Sequence, residues 1–120
     1  MKYGFGIDLG GTNIAIGIVD AEYHIVKKES IPTRAKREAD EITADIAALC
    51  LKLMKDLGLN RADIAFAGMA TPGTANSASG VIEYANNLPF YMYPMCEKLG
   101  ALLGGIPVYI ENDANAAAKA

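Results

Sequence analysis

Along the first thirty residues apolar positions alternate instead of clustering. Tyr3, Phe5, Ile7 and Leu9 fall on one side of an extended segment, with Gly4, Gly6 and Asp8 on the other; this period of two marks a strand. After Gly10-Gly11-Thr12 the alternation resumes with Ile14, Ile16 and Ile18, and Asp20-Ala21-Glu22 supplies a turn before a third run, HIVKKESI. Three short strands joined by tight turns predict an antiparallel meander. From Glu38 the period lengthens: Ile42, Ile46, Leu49, Cys50, Leu53 and Leu57 line one side, with Asp40, Glu41, Asp45, Lys52 and Lys55 opposite. That spacing predicts an amphipathic helix, ended by Gly58.

Residues 62–70, carrying Ile64, Phe66 and small side chains, read as a buried parallel strand, and residues 71–80 as a small-residue loop. Residues 92–104 have the length and apolar spacing of a second helix, with Pro94 near its start where proline is tolerated. Residues 107–110 form a short strand, and Asp113 opens DANAAAKA, an alanine-rich run that favours helix. The predicted order, βββαβαβα, is that of an α/β fold with a mixed five-stranded sheet. The sequence stops inside the last helical run, so residues 1–120 are expected to be one lobe of a longer polypeptide.

Composition narrows the choice of partner. A hydrophobic content of 52% over 120 residues is enough for a core. The net charge of -3, from 11 basic and 14 acidic residues, gives no electrostatic footprint for nucleic acid or an anionic membrane. No window approaches the roughly 18 apolar residues of a membrane span, and the first residues lack a long apolar h-region and enter a strand-like pattern almost at once, so a cytoplasmic location is expected. Cys50 and Cys96 lie far apart without metal-ligand spacing and are expected to be buried free thiols.

Three constellations carry candidate chemistry. In Asp8-Leu9-Gly10-Gly11-Thr12 the glycines let a backbone approach a phosphate and present its N–H groups, Thr12 adds a hydroxyl donor, and Asp8 has room to hold a hydrated Mg²⁺. The alternative is a plain glycine hairpin with a solvated aspartate. In Glu111-Asn112-Asp113-Ala114-Asn115, Asp113 sits between the end of a strand and the start of a helix, where open α/β sheets bind ligands. It would serve equally well as a simple helix cap. Gly68 and Gly73, with Asn86-Asn87-Leu88-Pro89, suit a pocket floor and a polyol contact, or ordinary loop chemistry.

Taken in this order and spacing, GIDLGGTNIAIGIVD, AGMATPG, GVIEYANNLPF and VYIENDANAAAKA resemble the ROK family of sugar kinases and sugar-responsive repressors, within the actin-like ATPase and sugar kinase superfamily. The resemblance spans essentially the whole chain and implies a ribonuclease-H-like N-terminal lobe. It implies ATP-dependent phosphorylation of a hexose or N-acylhexosamine, commonly at the 6-hydroxyl, with ATP and Mg²⁺ as cofactors. Asp8, Gly10, Gly11 and Thr12 match the family's first phosphate loop, with Asp8 holding Mg²⁺ through water. Asn112 and Asp113 match its sugar-binding pair, Asp113 as general base, and Gly68 and Asn87 match positions near the sugar. The family's Glu-x-x-His sugar contact, cysteine-rich zinc segment, second phosphate loop and adenosine pocket correspond to nothing in these residues, so zinc would belong to a downstream lobe. Family members are often homodimers through that lobe. The rival reading is the sugar-sensing domain of a ROK-type repressor, whose helix-turn-helix precedes the first strand. An actin-like or chaperone-like ATPase is a further alternative, against which the Asn86-Asn87 and Asn112-Asp113 pairs suggest a polyol site.

Overall fold

The computed structural model describes residues 2–85 and 88–112. β1 (Tyr3–Leu9), β2 (Asn13–Val19) and β3 (Ile25–Pro32) form the expected antiparallel meander, each pairing with the next. β4 (Ile64–Thr71) lies parallel to β1 on its other side, and β8 (Val108–Asn112) lies parallel to β4. The sheet order is β3-β2-β1-β4-β8, a mixed five-stranded sheet whose outer strands are β3 and β8.

Register decides which side chains share a face. Phe5, Ile7 and Leu9 lie opposite Ile18, Ile16 and Ile14, and Phe5 and Ile7 lie opposite Ala67 and Met69. This face is buried beneath α1 (Ala39–Asp56), whose Ile42, Ile46, Leu49, Cys50 and Leu53 are all in the core. Burying one such aliphatic side chain is worth about 1.5–3 kcal/mol. Asp40 and Glu41 in the first turn of α1 suit its positive end. The helix stops where the glycine predicts. Gly58 takes φ +69, its N–H donates to the Lys55 carbonyl at 3.1 Å, and the Leu59 N–H donates to Met54 at 2.9 Å, a Schellman closure.

The structure corrects several boundaries. Residues 71–80 are more than a loop. They hold β5 (Thr74–Asn76), which pairs with β6 (Val81–Tyr84), which pairs in turn with β7 (Tyr91–Tyr93) in a separate three-stranded antiparallel sheet. Asn76 shapes the hairpin turn, its Oδ1 accepting from the Ala78 and Ser79 N–H groups at 3.0 and 3.1 Å. The second helix, α2, spans Met95–Leu102 and does not begin at residue 92, because Tyr91–Tyr93 pairs as a strand and Pro94 stands at the helix boundary. A 3₁₀ turn, Arg61–Asp63, precedes β4. β8 runs on to Asn112, so Glu111 and Asn112 belong to the strand instead of following it. Cys50 is buried as expected, whereas Cys96 is only half-buried; both are free thiols.

Candidate functional site

β1, β4 and β8 run in the same direction, so their C-terminal ends share one edge of the sheet. The described parts of the candidate motifs lie there. The Gly10-Gly11-Thr12 turn leaves β1, Pro72-Gly73 leaves β4, and Asn112 closes β8. Ligands of open α/β sheets bind at such an edge.

Asp8 lies on the face opposite the core. Its register partner on β4 is Ala70, and the partner of Ala70 on β8 is Glu111. With about 4.8 Å between neighbouring strands, the Asp8 and Glu111 backbones stand about 10 Å apart across a small alanine. Asp8 is exposed, as is Gly6 two residues before it. Gly68 lies one step deeper on the same face, between Gly6 and Tyr109. A Cβ at Gly6 would meet nothing within 4 Å, and one at Gly68 would make only ordinary contacts at 3.9 Å, to the Phe5 carbonyl and the Phe66 ring. This open face therefore has space that the described residues do not fill.

The two loop glycines differ in what they do for the fold. A Cβ on Gly10 would lie 2.7 Å from the Asn13 carbonyl oxygen, which accepts the Gly10 N–H at 3.0 Å. Gly10 is thus required for the hairpin to close. A Cβ on Gly11 would meet nothing within 4 Å. Gly11 and Thr12 are both exposed, and among the described residues neither N–H, nor the Thr12 hydroxyl, donates to a protein acceptor. Toward the described residues the turn thus leaves these donors unengaged beside the Asp8 carboxylate, a donor set suited to phosphate oxygens.

Asn112 is paired with Thr71 across β8 and β4, at the same edge. Asn87 and Asp113 lie outside the described residues. Later in the same segment, Phe90 is buried and its ring lies tilted against that of Tyr93, with centroids 5.1 Å apart. The Tyr93 hydroxyl donates to Asp40 Oδ1 at 2.7 Å and lies 2.9 Å from the Thr43 hydroxyl, while Lys98 Nζ donates to the same Asp40 oxygen at 3.0 Å. Burial pushes the Tyr93 phenol up to about 12, so it stays a donor at neutral pH. This network fastens the segment after residue 87 to both helices.

Sequence reasoning missed Thr33. It is fully buried, and its hydroxyl donates to the Gly10 carbonyl at 2.7 Å. Its flanking residues, SIPTRA, read only as the end of a strand, and no local signal ties them to Gly10, 23 residues earlier.

Residues 4–120 match the model of the ROK family. The chain belongs to the ROK family. It is 34% identical over 115 residues to a glucokinase of Streptomyces coelicolor, covering 94% of this chain and 33% of that protein. An N-acetyl-D-glucosamine kinase of Haemophilus influenzae is 32% identical over 111 residues, covering 92% of this chain and 34% of that one. Among solved structures, a ROK family glucokinase from Streptomyces griseus in complex with glucose and AMPPNP superposes with a TM-score of 0.83 at 30% identity, over 97% of this chain and 35% of that one. The chain thus spans about a third of the length of the curated relatives it matches. The mixed five-stranded sheet is that of the actin-like ATPase fold which ROK sugar kinases share.

Proposed function

We propose that the chain is the N-terminal lobe of a sugar kinase, which transfers a phosphoryl group from ATP to a hydroxyl, the 6-hydroxyl first among them, of a hexose or N-acylhexosamine. The observation that carries this reading is the convergence of three strand ends on an exposed turn with unengaged N–H donors and a glycine, Gly11, that the fold itself does not require. Similarity to glucokinases and to an N-acetyl-D-glucosamine kinase supports the acceptor class, and the glucokinase complex with AMPPNP supports ATP as donor.

Each residue then has a task. The Gly11 and Thr12 N–H groups and the Thr12 hydroxyl bind phosphate oxygens, and Gly11 lets them approach the backbone. Among the described residues no cluster of three or more His, Cys, Asp or Glu could hold a metal ion unaided. A lone exposed carboxylate, Asp8, fits Mg²⁺, which keeps several of its waters and takes further ligands from phosphate. When bound, Mg²⁺ offsets the negative charge of the phosphates. Asn112 and Asn87 hold sugar hydroxyls, Gly68 leaves room on the open face, and Asp113 orients the acceptor hydroxyl and takes its proton late. Phosphoryl transfer depends chiefly on positioning and charge stabilisation, so a weak base in the right place suffices.

The same reading assigns the adenosine pocket and any zinc site to a downstream lobe, through which the protein would form homodimers, in the cytoplasm. No helix among the described residues is long and apolar enough to cross a membrane. The test is ATP consumption by the full-length protein over a panel of hexoses and N-acetylhexosamines. Sugar-dependent ADP release with a sugar phosphate as product is expected. Tight sugar binding with no transfer to any member of the panel would replace the kinase with a sugar sensor.

A further inference from the structure

Thr33 lies just past β3, is fully buried, and has all three polar groups engaged. Its backbone N–H donates to the Thr12 carbonyl at 2.8 Å and its hydroxyl to the Gly10 carbonyl at 2.7 Å. Its own carbonyl accepts from Arg37 Nη2 at 2.7 Å, and Arg37 Nη1 reaches Asp45 of α1 at 2.9 Å. One buried residue thus grips both ends of the exposed turn and ties it, through the half-buried Arg37 side chain, to α1.

The grip has a stereochemical consequence. A trans peptide unit is planar, with its C=O and N–H pointing in opposite directions. Holding the Gly10 carbonyl against Thr33 turns the Gly11 N–H away from Thr33, and holding the Thr12 carbonyl does the same to the Asn13 N–H. Without the hydroxyl, the 10–11 peptide plane loses the bond that holds its carbonyl toward Thr33, and glycines on both sides leave it easier to turn than any other residue pair would.

We propose that Thr33 is a positioning residue for the phosphoryl donor: by fixing two carbonyls inward it aims the Gly11 N–H outward, with Arg37 and Asp45 as its tether to α1. This rests on the kinase reading for the identity of the donor, and on the hydrogen bonds alone for the aim of the turn. Thr33 itself does not touch the ligand.

The experiment compares Thr33→Val and Thr33→Ser in the full-length protein, measuring KM for ATP and for sugar, kcat, and the ATP dissociation constant by titration without sugar. Thr33→Val removes one charge-free donor at nearly constant volume, and a misaimed N–H is expected to raise the ATP constant about tenfold. Sugar KM stays within about twofold, since the sugar contacts lie on other elements. Thr33→Ser keeps the hydroxyl and restores ATP affinity to within about threefold of the parent. A merely structural role would lower the melting temperature and leave the ratio of the two KM values unchanged, and that result overturns the proposal. Should Thr33→Val not fold, Arg37→Met, which keeps the stem and loses the tether, is expected to raise the ATP constant in the same direction; an unchanged constant there overturns it too. A parent that binds ATP but phosphorylates no sugar sinks the kinase reading while the ATP titrations still decide the role of Thr33. A parent that binds no nucleotide overturns both.

Discussion

Adjacent glycines in one turn offer a contrast between folding and binding. In Gly10→Ala the new methyl would stand 2.7 Å from the Asn13 oxygen, a backbone atom held in place by the hairpin bond it accepts. Neither partner can yield without opening the turn, and such overpacking costs about 1–3 kcal/mol. Gly→Ala also removes freedom from the unfolded chain, which offsets about 0.4–1 kcal/mol where the backbone is compatible. The net expectation for Gly10→Ala is a loss of about 1–2 kcal/mol. Gly11→Ala has only the second term: its methyl meets nothing within 4 Å, and its φ lies outside the left-handed region. Its stability is expected to equal or exceed the parent by up to about 1 kcal/mol. Its methyl instead occupies the space where phosphate oxygens would meet the backbone, so ATP affinity falls at least about tenfold, or 1.4 kcal/mol. Urea denaturation gives the two stabilities, compared at equal m-value, and ATP titration of the full-length variants gives the affinities. If Gly11→Ala proves as destabilising as Gly10→Ala, or binds ATP like the parent, Gly11 serves the fold and the argument for a phosphate site there is wrong.

Two further outcomes test the scaffold around the site. Gly80 adopts φ +73 with Cys96 Cβ 2.6 Å from where its own Cβ would be, so Gly80→Ala is expected to lose more than about 2 kcal/mol in denaturant melts; a loss below about 0.5 kcal/mol would show that Gly80 does not pack against Cys96 of α2 this closely. Asp40 is held below its usual 3.8 first by the Tyr93 hydroxyl and then by Lys98. A lowered carboxylate pKa stabilises in full above 3.8 and ceases to do so as pH falls through the lowered value. The melting-temperature gap between the parent and Asp40→Asn should therefore be open at neutral pH and close in acid below that value. A gap independent of pH would refute the assignment.

What the sequence made legible follows from how long each pattern runs. β1, β2 and α1 carry sustained periods of two or near 3.6, and Gly58 marks the helix end, so each appears close to where it is expected. β4 reads correctly as a parallel strand inside the sheet, but only one of its faces is buried: Ala65 is exposed and Phe66, Gly68 and Ala70 are half-buried. β5, β6 and β7 are only three or four residues long, too short to establish a period, and Thr74-Ala75-Asn76 has the composition of a loop. Tyr91, Met92 and Tyr93 extend the apolar spacing of α2, yet the residue before a proline is steered away from helical angles, a signal in Tyr93-Pro94 that outweighs the spacing. Glu111 and Asn112 look like the start of a loop and are drawn into β8 by pairing with Ala70 and Thr71.

The candidate site divides in the same way. Asp8 on the bare face follows from alternation alone, and the turn from its glycines. The difference between Gly10 and Gly11 depends on what surrounds each, which no one-dimensional pattern carries. Thr33 is the extreme case: its partners are Gly10 and Thr12, brought beside it only by the β1-β2-β3 meander.

The central claim is phosphoryl transfer to a sugar oriented by Asp113, and its most direct test is Asp113→Asn in the full-length protein, assayed for turnover and for sugar binding together. The account predicts that kcat falls by about 10²–10⁴ while the sugar dissociation constant stays within about threefold, because asparagine still accepts a hydrogen bond but takes no proton. Turnover retained near the parental rate would contradict it.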